Sequence, residues 1–403
     1  MKYEVDRNGC LHWCISLQRR ADRRFVIERT FPTTISRILY FLFATDGQDI
    51  PQTKVLVPKT QQMNRTSYAV RFTKIAMLRR FLQLKCNYLC VYEDDVILAP
   101  TFESVLETAL CQLPNDWEML FLGGVHAEPP TGNGGFVRCR NTFDNHCILY
   151  NRRGAKKVLS LLIHMPTRAS WSDREIANAI ARGAINAYAP RQFQAWQRCG
   201  RSDNAGDRNQ GPALYQKFIK TTMSPDDAHV LSAAVSPGDR VLEYGSGGST
   251  IILAEAAGER GKLFTFEHQE RWFNFTRENL SKHGLLARAD VYFIPPHPRR
   301  DADSVWMYLP NQLRDYVRAP VDVACIEPGT IDLVFLDGRA RIQCAALAAE
   351  LLKPGGLLLI HDFWHRQRYR QHLCDLLQDY RYMFETPQAK ETDRKGMAVF
   401  CRR

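Results

Sequence analysis

The 403-residue sequence lacks several features that would place it in a specialised class of protein. It contains no run of about 18 apolar residues, the length that a membrane-spanning helix requires. Its start, MKYEVDRNGCLHW, lacks the apolar stretch of a signal peptide, and the chain has no internal repeat. These absences argue against a membrane-spanning helix and a repeat architecture. They favour a cytoplasmic location, with which peripheral contact to a membrane is still compatible.

The 12 cysteines also lack any repeated spacing. Cys10 and Cys14 are four positions apart, but no second pair with histidine completes the ligand set of a zinc site. Scattered cysteines in a long chain are typical of reduced, buried thiols. We therefore expect free thiols and no zinc finger.

The chain has no long basic run, although 54 Lys and Arg against 43 Asp and Glu give it a formal net charge of +11. A basic surface attracts nucleic acid, anionic lipid or phosphorylated substrates, and anionic sugar nucleotides or glycans would suit the same charge. Because the sequence has neither an Asn-Pro-Pro-Tyr-like base-flipping motif nor an aromatic and basic stripe, nucleic-acid methylation is the least favoured function.

The length predicts two domains, since a domain usually holds about 100–200 residues. The stretch 198–212, RCGRSDNAGDRNQGP, is polar and rich in glycine, asparagine and aspartate, as a linker should be. It divides the chain into a mixed α/β domain, 1–197, and a domain, 213–403, in which strand-like and helix-like stretches alternate. That alternation favours a parallel sheet.

In the second domain, polar residues follow four predicted strands at their C-terminal ends. The strand RVLEY is followed by the glycine-rich loop Gly245–Gly248, and the strand KLFTFE ends at Glu267, 22 residues after Gly245. An acidic residue at that distance can accept both ribose hydroxyls of a nucleoside cofactor. Two further strands end at Asp337 and at His361-Asp362, and open α/β sheets bind ligands at such strand ends.

The motifs VLEYGSGGST, FTFEH, IDLVFLDG and LLKPGGLLLIHDFW resemble those of class I S-adenosylmethionine-dependent methyltransferases. The resemblance implies a Rossmann-like fold over roughly Ser224–Arg403. It also implies that S-adenosylmethionine is held by Glu243, Gly245, Ser246, Gly247, Gly248, Glu267 and His268. A dinucleotide-binding Rossmann domain is the rival interpretation, but Thr250 replaces the third glycine of its G-x-G-x-x-G loop.

Methyl transfer to an oxygen requires a base that takes the proton of the acceptor. The candidates for this base are Asp337, His361, Asp362 and His365, and the resemblance implies that Asp337 and Asp362 border the substrate side. The alternative remains open that these aspartates cap helices and that the histidines are ordinary polar groups.

In the first domain, the apolar strand YLCVY runs directly into three carboxylates, Glu93-Asp94-Asp95. Three carboxylates after a buried strand cost free energy unless a positive charge neutralises them. A Mg²⁺ or Mn²⁺ ion would do so, and it would also bridge a diphosphate. An acidic loop that caps the following turn explains the same residues equally well.

The motifs CISLQRRADRR, YFLFATDGQDI, YLCVYEDDVIL, WEMLFLGG and HCILYNRRGAKKVL occur in the order seen in family 25 glycosyltransferases of the lipooligosaccharide-biosynthesis type, which they resemble. The resemblance spans about His12–Gln197 and implies a GT-A nucleotide-sugar fold. It implies metal ligands at Glu93 and Asp95, and it implies that Asp173 serves as the acceptor base or holds the acceptor. It also implies a nucleotide-sugar site formed by Arg19, Asp22, Arg23 and Asp94.

The expected fold class is therefore α/β with two domains, a GT-A-like domain followed by a Rossmann-like methyltransferase domain. The expected function is a bifunctional enzyme that transfers a sugar from a nucleotide sugar to a glycan acceptor and then methylates a sugar. Surface polysaccharide or lipopolysaccharide biosynthesis would suit such an enzyme. The alternative is that one domain is a degenerate module that only binds substrate.

Overall fold

The computed structural model describes residues 3–50, 65–165, 171–198, 200–202, 206–208, 223–296, 310–363, 371–386 and 396–403. The chain divides into two compact units, Met1–Gln216 and Lys217–Arg403. In the described ranges, no helix is long and apolar enough to span a membrane.

The first unit contains a seven-stranded sheet, a two-stranded sheet and a short β-ribbon, with helices between the strands. Its strands and helices are β1 (Cys10–Ser16), α1 (Ala21–Thr30), α2 (Thr33–Ser36), β2 (Tyr40–Phe43), α3 (Arg65–Gln83), β3 (Tyr88–Glu93), β4 (Val96–Leu98), α4 (Phe102–Gln112), β5 (Met119–Glu128), β6 (Phe136–Arg138), β7 (Asn141–Asn151), α5 (Arg152–His164), α6 (Ser172–Ala181), β8 (Ala187–Pro190), β9 (Ala195–Gln197), β10 (Gly200–Ser202) and β11 (Gly206–Arg208).

The large sheet has the order β2-β1-β3-β7-β5-β8-β6, in which β2, β1 and β3 are parallel and β7 is antiparallel to both β3 and β5. Strand β1 is buried on both faces: Leu11 and Trp13 pack into one apolar cluster, and Cys10 and Cys14 pack into another. Because β1, β2 and β3 are parallel, their C-terminal ends meet at one edge of the sheet. The segments that follow these ends carry the predicted nucleotide-sugar and metal residues of this unit.

The expected linker contains regular structure in its described part. Strands β10 and β11, inside the stretch 198–212, pair in antiparallel fashion from Gly200 opposite Arg208 to Ser202 opposite Gly206. The polar, glycine-rich composition that predicted a linker is equally typical of a tight turn between two short strands.

The second unit is built around one mostly parallel sheet. Its strands and helices are α7 (Pro225–Ala234), β12 (Arg240–Tyr244), α8 (Gly248–Ala257), β13 (Lys262–Glu267), α9 (Glu270–Lys282), β14 (Ala289–Phe293), α10 (Arg314–Asp322), β15 (Ile331–Leu336), α11 (Arg341–Leu351), β16 (Leu352–Ile360), α12 (Leu373–Asp379), β17 (Tyr380–Glu385) and β18 (Ala398–Arg402). Helix α7 begins as its sequence predicts, because the Ser224 side chain accepts the backbone N–H of Asp227 and Pro225 occupies the first turn.

The strand order of this unit is β14-β13-β12-β15-β16-β18-β17. The first five strands of the order are parallel, whereas β18 runs antiparallel to both of its neighbours, β16 and β17. A dinucleotide-binding Rossmann sheet has the chain order 3-2-1-4-5-6. The antiparallel strand inserted between β16 and β17 distinguishes this sheet from that fold.

The sequence LKPGG forms part of β16, not only the turn that precedes a strand. Strand β16 begins at Leu352, and its pairing with β15 slips between Ile331 and Leu333. Gly355 has a φ of +79° and lies beside this irregularity. A bulge that uses glycine therefore lets the extended strand continue through residues that predict a turn.

The C-terminal ends of β12 and β15 approach each other at two glycines. Gly245 has a φ of +91°, and a Cβ atom on it would lie 2.5 Å from the Cα atom of Gly338. The backbone N–H groups of Asp337 and Gly338 both donate to the carbonyl of Tyr244, at 2.9 and 2.6 Å. Neither glycine therefore has room for a side chain.

We predict that Gly245→Ala lowers the free energy of unfolding of the second unit by about 2–4 kcal/mol, because the methyl group would displace the Gly338 backbone. Gly284→Ala is the matched control, since Gly284 also has a positive φ, +68°, but a Cβ there would meet no described atom within 4 Å. Its cost should be about 1–2 kcal/mol. Equal losses for the two variants in urea unfolding would contradict the close approach.

Candidate functional site

Glu243 anchors the glycine-rich loop of the second unit. This side chain is 0% exposed and accepts hydrogen bonds from the hydroxyls of Ser249, Thr250 and Thr265 at 2.5, 2.6 and 2.7 Å. The hydroxyl of Thr250 also accepts the N–H of Gly247 at 2.9 Å. Glu243 therefore joins the end of β12 to the first turn of α8 and to β13.

Glu267 holds the same loop from its other side. Its Oε2 atom accepts the N–H of Ser246 at 2.8 Å and the Ser246 hydroxyl at 3.3 Å, and its Oε1 atom accepts the N–H groups of His268 and Gln269, both at 2.8 Å. The residue is 2% exposed. The structure thus brings Gly245–Gly248, Glu243, Glu267 and His268 together at one edge of the sheet, as the sequence predicts.

The predicted acid–base residues of this unit also meet. His361 Nδ1 lies 3.1 Å from Asp337 Oδ1 and 3.7 Å from Asp362 Oδ1, whereas its Nε2 lies 3.6 Å from Asp227 Oδ2. The guanidinium of Arg341 donates to the side chain of Asp337 at 2.9 Å and to the carbonyl of Gly338 at 2.9 Å. His365 lies outside the described residues.

The carboxylates around His361 determine its charge. Burial alone would lower the pKa of His361, but the charge of Asp337 and hydrogen bonds with Asp227 and Asp337 outweigh it and raise this pKa to about 10. The imidazole is therefore protonated at neutral pH and cannot accept a further proton there.

Asp362 differs from the other carboxylates of this group. Its φ is +52°, in the left-handed region, and its buried Oδ1 atom has no hydrogen-bond partner among the described residues. One ligand atom from each of Asp337, His361 and Asp362 lies within 4.8 Å of the others, so this group could also enclose a cation once His361 loses its proton.

The first unit contains a cavity of about 860 Å³ at the C-terminal edge of its parallel strands. Most of the residues predicted for sugar transfer line it: Arg19, Arg23, Glu93, Asp94, Asp95 and Asp173. Asp22 does not line the cavity, because it is buried against Arg20, whose guanidinium contacts both of its carboxylate oxygens at 3.0 and 2.8 Å. Cavities of this size are typical of small-molecule sites.

The acidic segment in this cavity is partly neutralised by arginine. Arg23 lies 2.7 Å from Asp94 Oδ1 and 3.2 Å from Asp95 Oδ2, and Gln197 donates to Asp95 Oδ2 at 3.0 Å. Burial would raise the pKa of Asp95, but the charge of Arg23, the hydrogen bond from Gln197 and further nearby positive charges together outweigh it and lower this pKa. The charge argument for a metal ion is therefore weaker than the sequence alone suggests. The Oδ1 atom of Asp95 nevertheless is buried without a partner in the described part of the chain.

Asp173 and His146 also line the cavity. Asp173 forms an ion pair with the buried Lys74 and accepts a hydrogen bond from Asn145 at 2.6 Å. His146 Nδ1 lies 3.6 Å from Glu93 Oε2. Burial lowers the pKa of His146, but the carboxylate of Glu93 outweighs this effect and raises it.

Several residues of the two sites were missed by sequence reasoning. Asp227 and Arg341 in the second unit, and Lys74 and His146 in the first, carry no recognisable spacing and become neighbours of the predicted residues only through the fold. Asp46 could have been found, because it follows the second strand just as Glu93 follows the third. It pairs with Arg19 at 2.7 Å.

Residues 242–363 match a family model described as a methyltransferase domain. The C-terminal region is therefore a methyltransferase domain of the class I type, and the Rossmann-like fold expected from its motifs is confirmed. The matched residues extend from β12 to just beyond β16. They include the loop Gly245–Gly248, the sequence LKPGG and the Asp337, His361 and Asp362 group.

Several solved structures are similar to this chain at low identity. A SAM-dependent O-methyltransferase from Thermotoga maritima is 21% identical, covers 47% of this chain and 69% of its own, and has a TM-score of 0.33. A SAM-dependent methyltransferase from Aquifex aeolicus is 17% identical over 47% of this chain and 93% of its own, with a TM-score of 0.30. Fibrillarin from Aeropyrum pernix, in complex with S-adenosyl-L-methionine, is 17% identical over 41% and 68%, with a TM-score of 0.31.

The buried carboxyl group of Glu243 predicts a pH dependence of stability. Burial raises its pKa to about 7 from 4.5, in spite of the three hydroxyl hydrogen bonds. The folded chain therefore retains a proton that the unfolded chain releases, and stability falls as the pH rises from about 4.5 to about 7. The loss amounts to about 3 kcal/mol and stays constant at higher pH.

Glu243→Gln should remove this loss of stability with rising pH, because glutamine does not titrate. Urea unfolding measured across this pH range should show the variant gaining stability relative to the wild type as the pH rises, and level off above about pH 7. Identical pH profiles for the two proteins would show that the Glu243 carboxyl group is not destabilised by burial.

Proposed function

We propose that the second unit binds S-adenosylmethionine at the loop Gly245–Gly248 and transfers its methyl group to an acceptor oxygen. The observation that carries the proposal is the open space beside Gly247 in this loop. Among the described residues, a Cβ atom on Gly247 would meet only one ring atom of Trp272, at 4.0 Å. The first turn of α8 directs its backbone N–H groups toward this loop, and such groups favour the carboxylate of an amino-acid moiety.

Glu267 supplies the contact to the ribose in this proposal. A carboxylate has about four acceptor positions, and Glu267 already uses four, two for Ser246 of the loop and two for the N–H groups of His268 and Gln269. The weakest of these hydrogen bonds is the one from the Ser246 hydroxyl, at 3.3 Å. A ribose hydroxyl would replace it without disturbing the three backbone hydrogen bonds.

Bound S-adenosylmethionine would supply an electrophilic methyl group on a sulfonium, and the chain's own residues would orient and deprotonate the acceptor. Asp362 would accept the proton of the acceptor hydroxyl at its Oδ1 atom, which lies 3.7 Å from the protonated His361 and has no hydrogen-bond partner among the described residues. The protonated His361, held between Asp227 and Asp337, positions the neighbouring carboxylates. The products are the methyl ether, S-adenosylhomocysteine and one proton on Asp362.

Asp362→Asn should lower kcat about 100- to 10,000-fold, because an amide cannot accept the proton. Binding of S-adenosylhomocysteine should stay unchanged. The readout is S-adenosylhomocysteine formation with a glycan on which the wild-type chain is active. Asp375→Asn is a matched control on an exposed carboxyl group. Full activity in Asp362→Asn would assign the base to Asp337 instead.

For the first unit, we propose sugar transfer from a nucleotide sugar bound in the 860 Å³ cavity. The support is the convergence of Arg19 and Arg23, which suit a diphosphate, with Glu93–Asp95 and Asp173 in the lining of one cavity. Glu93 and the unpaired Oδ1 atom of Asp95 would hold a Mg²⁺ or Mn²⁺ ion, which would carry part of the diphosphate charge.

The two activities together suggest an enzyme that builds and methylates a glycan, such as a surface polysaccharide or lipopolysaccharide. A second candidate is that the first unit binds the nucleotide sugar without a metal ion and without transferring the sugar. The position of Arg23 between Asp94 and Asp95 favours this candidate, because it fills the place of the ion.

UDP should raise the melting temperature of the first unit by mass action, and Mn²⁺ should increase the rise if Glu93 and Asp95 bind the ion. Arg19→Ala should reduce the rise, because this half-exposed side chain lines the cavity. Arg140→Ala, at an exposed arginine outside the cavity lining, is the control.

A rise with UDP alone that Mn²⁺ does not change would favour the second candidate. Absence of any rise would contradict nucleotide binding in the first unit. Asp95→Ala should abolish sugar transfer and leave binding of S-adenosylhomocysteine unchanged. Loss of both in a folded chain would mean that the division of roles between the units is wrong.

A further inference from the structure

We propose that the hydroxyl group of Tyr316 contacts the adenosine half of the cofactor in the second unit. The inference rests on the proposed binding of S-adenosylmethionine at the loop Gly245–Gly248, and it adds a residue that no sequence motif indicates. Tyr316 lies on α10, outside every motif that carried the family resemblance.

Tyr316 is a buried residue whose polar atom is unused. Its side chain is 0% exposed, and its ring packs edge-on against Tyr244 and His268, with ring centroids 5.4 and 5.3 Å away. Its hydroxyl has no hydrogen-bond partner among the described residues. Leaving a buried hydroxyl unpaired costs free energy, and such a group in a native protein calls for a partner.

The unpaired hydroxyl lies at the ligand-binding edge of the sheet. A Cβ atom built on Gly338 would lie 2.1 Å from the Tyr316 hydroxyl oxygen, so this oxygen lies directly beside Gly338. Gly338 in turn is the residue against which Gly245, at the start of the cofactor loop, packs most closely. The hydroxyl therefore lies between the ends of β12 and β15, where the loops that would surround the ligand meet.

The neighbours of Tyr316 indicate which part of the cofactor it would contact. His268, on which the Tyr316 ring packs, directly follows Glu267, the proposed ribose ligand. The Asp337, His361 and Asp362 group, which would face the methyl group, contacts other partners. The contact of the ring with His268 therefore favours the adenosine half as the partner of the hydroxyl, which could donate a hydrogen bond to the adenosine or accept one from it.

Tyr244 provides a matched comparison in the same cluster. It is also a buried tyrosine, but its hydroxyl donates to the carbonyl of Val317 at 2.6 Å. Removing the Tyr244 hydroxyl breaks a hydrogen bond of the fold. Removing the Tyr316 hydroxyl breaks none among the described residues. Loss of the Tyr244 hydroxyl should therefore lower stability, whereas loss of the Tyr316 hydroxyl should weaken ligand binding.

The experiment compares Tyr316→Phe, Tyr244→Phe and the wild-type full chain. Melting temperatures are measured without ligand, and dissociation constants for S-adenosylhomocysteine and for methylthioadenosine, which lacks the amino-acid half, are measured by calorimetric titration. Tyr316→Phe should melt at or above the wild-type temperature. It should bind both ligands about 10-fold more weakly, the effect of one lost hydrogen bond.

Tyr244→Phe should melt at a lower temperature and bind both ligands within about twofold of the wild type. Wild-type affinity in Tyr316→Phe would overturn the inference and leave the proposed cofactor site intact. Weakened binding of S-adenosylhomocysteine alone would overturn the assignment to the adenosine half. Absence of binding to the wild-type chain would overturn both the inference and the proposed function.

A further variant tests whether the ring blocks the ligand instead of contacting it. Tyr316→Ala removes both the ring and the hydroxyl. If this variant folds and binds S-adenosylhomocysteine more tightly than the wild type, the ring is an obstacle and the proposed contact is wrong. Weaker binding than in the wild type supports the contact.

Discussion

The close approach of two backbone segments, at Gly245 and Gly338, is the constraint on which the site of the second unit depends. A Cβ atom on Gly245 would lie 2.5 Å from the Gly338 Cα atom, and two N–H groups of the β15 end donate to the Tyr244 carbonyl. This contact fixes the start of the cofactor loop relative to Asp337. The distance between the proposed cofactor and the proposed acid–base group therefore follows from backbone packing, which side chains cannot easily change.

The carboxylates near this contact have two different roles. Glu243 and Glu267 use their acceptor positions for hydroxyls and backbone N–H groups in and beside the loop, so they shape the site. Asp337 and Asp362 lie at strand ends beside a protonated histidine and remain partly exposed. In the first unit, Arg23 compensates two carboxylates of the acidic segment, which lowers the need for a metal ion there.

Much of this arrangement could be predicted from the sequence, because it depends on local rules. The order of strands, the glycine-rich loop and the polar strand ends follow from alternation, turn residues and the geometry of parallel sheets. Strand β18 was not predicted. It lies between β16 and β17 and runs antiparallel to both, and a pairing between distant segments leaves no local pattern. The sequence LKPGG is typical of a turn. The bulge that it forms in β16 could not be predicted, because it depends on the pairing with β15.

The partners of the predicted residues could not be found from the sequence for the same reason. Asp227 lies 134 positions before His361, and Lys74 lies 99 positions before Asp173, so only tertiary packing brings them together. Asp22 belongs to a motif that carried the family resemblance, yet its neighbour Arg20 holds it away from the cavity. The charge of His361 also depends on this packing, because Asp227 and Asp337 come from distant parts of the chain to surround it.

A crystal structure of the full chain with bound S-adenosylhomocysteine tests the central claim most directly. The account predicts one ligand molecule in each second unit, with its ribose at Glu267 and its sulfur atom facing the Asp337 and Asp362 carboxylates. A ligand bound elsewhere, or a loop Gly245–Gly248 that stays empty in the presence of saturating ligand, would contradict the account.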